Sequence, residues 1–152
     1  MPLDPVDRRM LAILQEDGRI SNAALAERLH LSPSPCLRRL RALEHDGVIT
    51  GYRALLDRPR LGLGLTVFVE LKVDGHSDRV ADAIGERLQA HPEVVAAHIV
   101  SGGADFRLEV VVADLAAYER LLFGVLLKLP NVADVQSHFA LRTVKAPAPL
   151  PV

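Results

Sequence analysis

The chain has 152 residues, 49% of them hydrophobic and 24% charged, which is ordinary for a globular protein of one or two small domains. It has no run of about 18 apolar residues, no basic and apolar leader, and one cysteine, so a membrane span, a signal peptide and an internal disulfide are not expected and a cytoplasmic location is. The net charge of −1 decides nothing by itself, but residues 1–60 hold ten arginines and no lysine against eight carboxylates, while residues 61–152 hold eight cations against eleven.

In chain order, the first half reads as three helices. Asp4 is an N-cap with Pro5 at the first helical position, where a missing N–H costs nothing. Val6, Met10, Ile13 and Leu14 recur at helical spacing until Asp17-Gly18 stops them. Ser21 opens a short second helix with Leu25 and Leu29 on one face, and His30-Leu31 is a tight connection. Ser32 caps a third helix with Pro33 at its first position; it runs to about Asp46, and Gly47 offers a left-handed stop. Residues 48–55 are β-branched and aromatic enough for a strand or small wing. Asp57-Arg58-Pro59-Arg60 and Leu61-Gly62-Leu63-Gly64 read as a hinge.

The second half changes period. Val67, Val69, Leu71 and Val73 alternate with Glu70 and Lys72, which predicts a half-buried strand over 66–73. A helix capped by Ser77 or Asp78 follows, carrying Val80, Ile84 and Leu88 until His91-Pro92 ends it. Residues 94–101 read as a strand, Gly102-Gly103-Ala104 as a turn, and residues 106–112 as the next strand. Asp114 caps a helix with Tyr118, Leu121, Leu122, Val125, Leu126 and Leu129 inward. Pro130-Asn131 breaks it, and a long strand is expected over 132–144. The tail carries three prolines and is expected to be loose. The order βαββαβ is the ferredoxin-like arrangement. With helices on one face only, the mixed apolar and polar second face calls for a second copy of the chain, so at least a dimer is expected.

These elements predict an α+β chain. A helix-turn-helix, winged-helix-like, occupies residues 1–52 and a hinge strand and linker residues 53–64. A ferredoxin-like βαββαβ domain suited to oligomerisation spans 65–145, and residues 146–152 form a flexible tail.

The third helix distributes its residues unevenly. At about 100° per residue, Arg38, Arg41 and His45 fall within about 40° of Ser34, whereas Cys36, Leu37, Leu40 and Leu43 occupy the opposite side. A short helix, a tight turn and a helix that buries one stripe while presenting Ser and Arg on the other are what docking in a major groove requires. The candidate DNA contacts are Ser32, Ser34, Pro35, Arg38, Arg39 and Arg41. Ser34, Pro35 and Arg38 would approach base edges, and Arg39 and Arg41 would hold backbone phosphate. Arg39 lies at the flank of the apolar stripe, within reach of a phosphate or a carboxylate. The plainer alternative is a three-helix packing unit with a solvated arginine face. The other chemistries find no footing. The six histidines are scattered without metal-ligand spacing, Cys36 reads as core, and Gly62-Leu63-Gly64 lacks the strand-before, helix-after setting of a dinucleotide loop. No cofactor is expected.

At Asp17-Gly18-Arg19-Ile20-Ser21-Asn22-Ala23-Ala24-Leu25 the chain resembles the Lrp/AsnC, or feast/famine, regulators. The resemblance is strongest at Leu31-Ser32-Pro33-Ser34-Pro35-Cys36-Leu37-Arg38-Arg39-Leu40 and at Leu43-Glu44-His45-Asp46-Gly47-Val48-Ile49-Thr50-Gly51-Tyr52, and it continues to Tyr118-Glu119-Arg120-Leu121-Leu122. It implies a sequence-specific regulator that binds double-stranded promoter DNA. It further implies an effector domain that dimerises through its sheets, commonly assembles into octamers, and senses amino acids or related metabolites at oligomer interfaces. Sirohaem decarboxylase subunits share this fold and length, but the Asp-Gly-Arg-Ile-Ser stretch and the Ser-Pro-Ser-Pro-Cys helix start follow the regulators, so no enzyme is expected. A non-specific architectural DNA-binding protein is the other alternative.

The resemblance also points to the loop at Ser101-Gly102-Gly103-Ala104-Asp105, where Gly102 and Asp105 match the family's Gly-x-x-Asp form. Gly103 stands where leucine-responsive members carry an acidic residue, and Ala104 replaces a bulkier side chain. An amino-acid zwitterion needs N–H groups for its carboxylate and an anion or carbonyls for its ammonium. The candidate effector residues are His98, Val100, Gly102, Gly103 and Asp105, with Gln136 and His138 (and Ser137 between them) on an opposite wall. Asp105 has the alternative of capping the turn, and His98, Gln136 and His138 that of solvated strand-face residues.

Overall fold

The computed structural model describes residues 2–75 and 77–152; His76, one of the scattered histidines, lies outside the described residues. The chain divides into two compact units, Met1–Leu55 with Val144–Val152, and Leu56–Thr143.

The first unit is three helices, α1 (Pro5–Glu16), α2 (Asn22–Leu29) and α3 (Pro33–His45). Asp4 caps α1 by accepting from the Val6 and Asp7 N–H groups, and Ser21 caps α2 through the Ala24 N–H. Ser32 occupies the N-cap position of α3 without a side-chain cap bond. The α2–α3 connection is tight because His30 takes a left-handed conformation, φ 55°. Asn22 spans the connection by donating from Nδ2 to the Pro33 carbonyl. Gly47, at φ +72°, lets the chain turn sharply off α3. The core is built from Met10, Leu11, Leu25, Ala26, Leu29, Cys36 and Leu43; burying each large apolar side chain is worth about 1.5–3 kcal/mol.

The strand or wing expected over residues 48–55 is not formed. A strand needs the N–H and C=O groups of a neighbour, and the sheet among the described residues has four strands, none of them in this segment. Leu55 is accordingly 97% exposed. The tail is without helix or strand, yet Leu150 exchanges two hydrogen bonds with the Gln15 side chain, its N–H to Oε1 at 2.6 Å and its carbonyl from Nε2 at 3.1 Å.

The second unit opens with a 3-10 turn, Pro59–Leu61, and then runs β1 (Leu65–Val73), α4 (Asp78–Gln89), β2 (Val94–Ile99), β3 (Phe106–Val112), α5 (Leu115–Gly124), a second 3-10 turn (Leu126–Lys128) and β4 (Val132–Phe139). The sheet order is β2-β3-β1-β4 and every pairing is antiparallel. One sheet face carries Val67, Val69, Leu71, Phe106, Leu108 and Val110 against Ile84, Leu88, Tyr118 and Leu121 of the two helices.

Three ends differ from expectation, each for a local reason. α5 stops at Gly124, a poor helix former; the 3-10 turn after it, which repeats every three residues, still buries Leu126 and Leu129. β4 ends at Phe139 rather than residue 144, because β1 begins at Leu65 and offers its last carbonyl contact from Thr66 to the Ala140 N–H. β2 ends at Ile99, since the Val100 N–H turns to the Asp105 carbonyl and closes the loop.

Candidate nucleic-acid interface and effector cleft

On α3, Cys36 and Leu43 are fully buried, Leu37 and Leu40 half-buried, and Ser34, Arg38, Arg41 and His45 exposed. The helix therefore has one greasy side seated in the three-helix core and one hydroxyl and cationic edge facing outward. Ser32, ahead of the helix, is exposed, and Pro35 is half-buried.

Arg39 does not share that edge. Its Nη1 lies 2.6 Å from Asp4 Oδ2 and 2.9 Å from Asp7 Oδ1. Of the two partners expected for it, phosphate and carboxylate, this arrangement realises the carboxylate. The Asp7 N–H and the Arg39 guanidinium hold the Asp4 carboxyl below its usual range. Beyond the helix, Tyr52 donates to Glu44 Oε1 at 2.9 Å, and desolvation together with that carboxylate pushes its phenol up to about 12.

In the second unit, the sheet face opposite the helices carries charged and polar side chains around the apolar Phe68. Strand register aligns His98, Arg107, Glu70 and Gln136 in one row across all four strands. Arg107 also stacks over Phe68, 5.8 Å from the ring centroid, and His138 Nε2 lies 3.9 Å from Glu70 Oε2. A cleft of about 510 Å³ opens beside this row, lined by Glu70, Ile99, Val100, Ser101, Gly103, Ala104 and Arg107.

The expected effector residues fall into separate places. Val100 and Gly103 line the cleft, and Gly102, at φ +118°, shapes its loop. Asp105 caps the end of β1, accepting the Val73 N–H on Oδ2 at 2.9 Å while its own N–H bonds the Leu71 carbonyl; the turn-capping alternative is thus realised. His98 and Gln136 stand on opposite edge strands. At roughly 4.8 Å per strand spacing, three spacings lie between them, more than one amino acid can bridge within a single chain. Gln136 and His138 lie on β4, opposite Glu70 and Phe68 in the register and outside the cleft lining. Ser137 points to the helix side, where it bonds the Tyr118 hydroxyl. The reading by residue missed Glu70 and Arg107. Alternation places each on the open face, but only the register Glu70 to Arg107 makes them neighbours.

A three-helix unit with an exposed cationic recognition helix, followed in the same chain by an α+β unit with a polar cleft, defines the class of DNA-binding regulators with a built-in ligand-binding domain. Residues 3–50 match the winged helix-turn-helix DNA-binding domain, and residues 66–150 match the Lrp/AsnC ligand binding domain. The chain is 43% identical over 143 residues to the leucine-responsive regulatory proteins of Escherichia coli K12 and Klebsiella pneumoniae, covering 94% of this chain and 87% of each relative. Among solved structures, a transcriptional regulator of Neisseria meningitidis in complex with L-Met superposes with a TM-score of 0.92 at 36% identity, over 99% of this chain and 97% of that one. An AsnC family regulator of Agrobacterium tumefaciens gives a TM-score of 0.92 at 39% identity, over 98% and 97%. The chain belongs to the Lrp/AsnC family of transcriptional regulators. Among the described residues no helix is long and apolar enough to cross a membrane.

Proposed function

We propose that the chain reads double-stranded promoter DNA sequence-specifically through α3, acts in the cytoplasm as a regulator and not as an enzyme, and is modulated by an amino acid held on the open sheet face. The observation that carries the DNA reading is the edge formed by Ser34, Arg38 and Arg41, exposed while Cys36 and Leu43 of the same helix are buried. Arg38, on the exposed edge half-way along the helix, would form a bidentate pair with guanine, worth about 1–3 kcal/mol of discrimination. Ser32, Ser34 and Pro35 approach the same groove, and Arg41 neutralises phosphate. In a dimer, two such helices enter successive major grooves roughly 34 Å apart.

The effector reading rests on Glu70 and Arg107. A zwitterion has two charges to satisfy, and the cleft offers an anion and a cation on adjacent strands with the glycine loop beside them. Glu70 takes the ammonium, the role that Gly103 cannot fill, while Arg107 and the loop N–H groups take the carboxylate. The Neisseria relative, solved with L-Met, supports an amino acid as the class of ligand. The mixed polar and apolar open face, with the partly exposed Phe68 among its charges, favours pairing with a second copy, and the domain units proposed are residues 1–52, 53–64, 65–145 and 146–152. Octamers built from such dimers are the assembly proposed from the family.

Binding to a duplex enriched from a randomised library, measured against poly(dI-dC) competitor, tests the DNA reading. Preference for the enriched duplex is expected; equal affinity for both would make the chain an architectural binder instead. A thermal-shift series over the twenty L-amino acids tests the effector reading, because a ligand of the native state raises apparent stability by mass action. At least one should raise Tm in the wild type and fail to do so in Glu70→Gln.

A further inference from the structure

The cation of α3 that faces away from its exposed edge is the one most firmly held. Arg39 Nη1 donates to Asp4 and to Asp7, and both acids belong to the start of α1. Asp4 is the N-cap, and Asp7, three residues on, accepts the Asp4 N–H on Oδ2 at 3.2 Å. Asp7 is 3% exposed, the one buried charged residue among the described residues. A carboxylate removed from water persists only beside a cation or several donors. Arg39 provides the cation, and in doing so ties the middle of α3 to the first turn of α1.

That tie acts on rotation. Arg39 stands about 100° around the helix from Arg38, so holding its head group sets the direction in which Arg38 and Ser34 point. A turn of about 20° moves the surface of a helix of about 5–6 Å radius by roughly 2 Å, more than a bidentate arginine–guanine pair tolerates.

We propose that Arg39 is a positioning residue and not a phosphate contact: with Asp4 and Asp7 it fixes the rotational setting of the recognition helix. The proposal rests on the reading of α3 as the helix that enters DNA. Asp7 then departs from simple charge repulsion. Removing an acid from a DNA-binding unit ordinarily strengthens binding by relieving repulsion, whereas removing this one weakens it.

The test uses the full-length protein, a duplex enriched from a randomised library with the wild type, and a series of KCl concentrations at a temperature where every variant is folded by circular dichroism. Arg39→Gln and Asp7→Asn are each expected to lose about tenfold or more in affinity for the enriched duplex. The slope of log affinity against log salt should stay at its wild-type value, and the double variant should be no worse than either single one. Arg41→Ala, the contact control, is expected to lower that slope by about 0.9, one phosphate's worth. Asp4→Ser, which keeps the cap but removes a carboxylate, serves should Asp7→Asn unfold. A slope reduced in Arg39→Gln as in Arg41→Ala overturns the proposal, and so does a lowered Tm with affinity of the folded protein unchanged. Failure of the underlying reading looks different: no duplex is enriched, or Arg38→Ala and Arg41→Ala bind as the wild type does.

Discussion

The two units of this chain present their candidate sites by different means. On α3 the site is one edge of one helix, and every residue in it is set by the 3.6-residue repeat of that helix alone. On the sheet, Glu70 and Arg107 come from two strands and become neighbours only through pairing register. A site on a single helix survives as long as that helix is seated. A site on a sheet face survives only while the strands keep their alignment, since a slip of one residue sends every side chain to the other face.

The helical unit is disturbed most at the seat of α3. Leu43→Ala empties a fully buried position in the helical core and is expected to cost about 2–5 kcal/mol. Because the two units have separate cores, hydrogen exchange should show α1–α3 losing protection while β1–β4 keep theirs. Equal loss in both units would make them one cooperative body.

Next in size is the register anchor of the sheet. Asp105→Ala removes the acceptor of the Val73 N–H and is expected to cost about 1–3 kcal/mol, whereas Asp105→Asn, which keeps an oxygen, should cost less. Urea unfolding followed by circular dichroism measures the difference. If the alanine variant keeps wild-type stability yet loses its amino-acid response, Asp105 touches the ligand instead.

The smallest effect is on pH. The Asp4 carboxyl sits below its ordinary value, held there by the Asp7 N–H and by Arg39. A depressed folded-state value means the carboxylate stabilises the helical unit above about pH 4 and that this contribution is lost as pH falls through the lower folded value. Thermal melts of the wild type should therefore fall more steeply below about pH 4 than those of Asp4→Ser. Parallel curves would show that Asp4 plays no such part.

How much of this was legible in the sequence follows the same divide. The caps Asp4, Ser21 and Asp114, the buried alternation of Val67, Val69 and Leu71, and the outward edge of α3 all stand where local pattern puts them. Arg39 was legible only as far as its position at the flank; which partner it takes depends on α1 lying alongside. Glu70 and Arg107 were invisible as a pair because they lie 37 residues apart and are joined by register. The expected strand over residues 48–55 failed for a related reason, since β propensity in one segment cannot provide the neighbour that a ladder needs.

The central claim, that the outer edge of α3 reads bases, is tested most directly by repeating the enrichment from a randomised duplex library with Arg38→Ala in place of the wild type. The expected result is the wild-type motif with preference lost at one guanine-containing position. A motif unchanged at every position would contradict it.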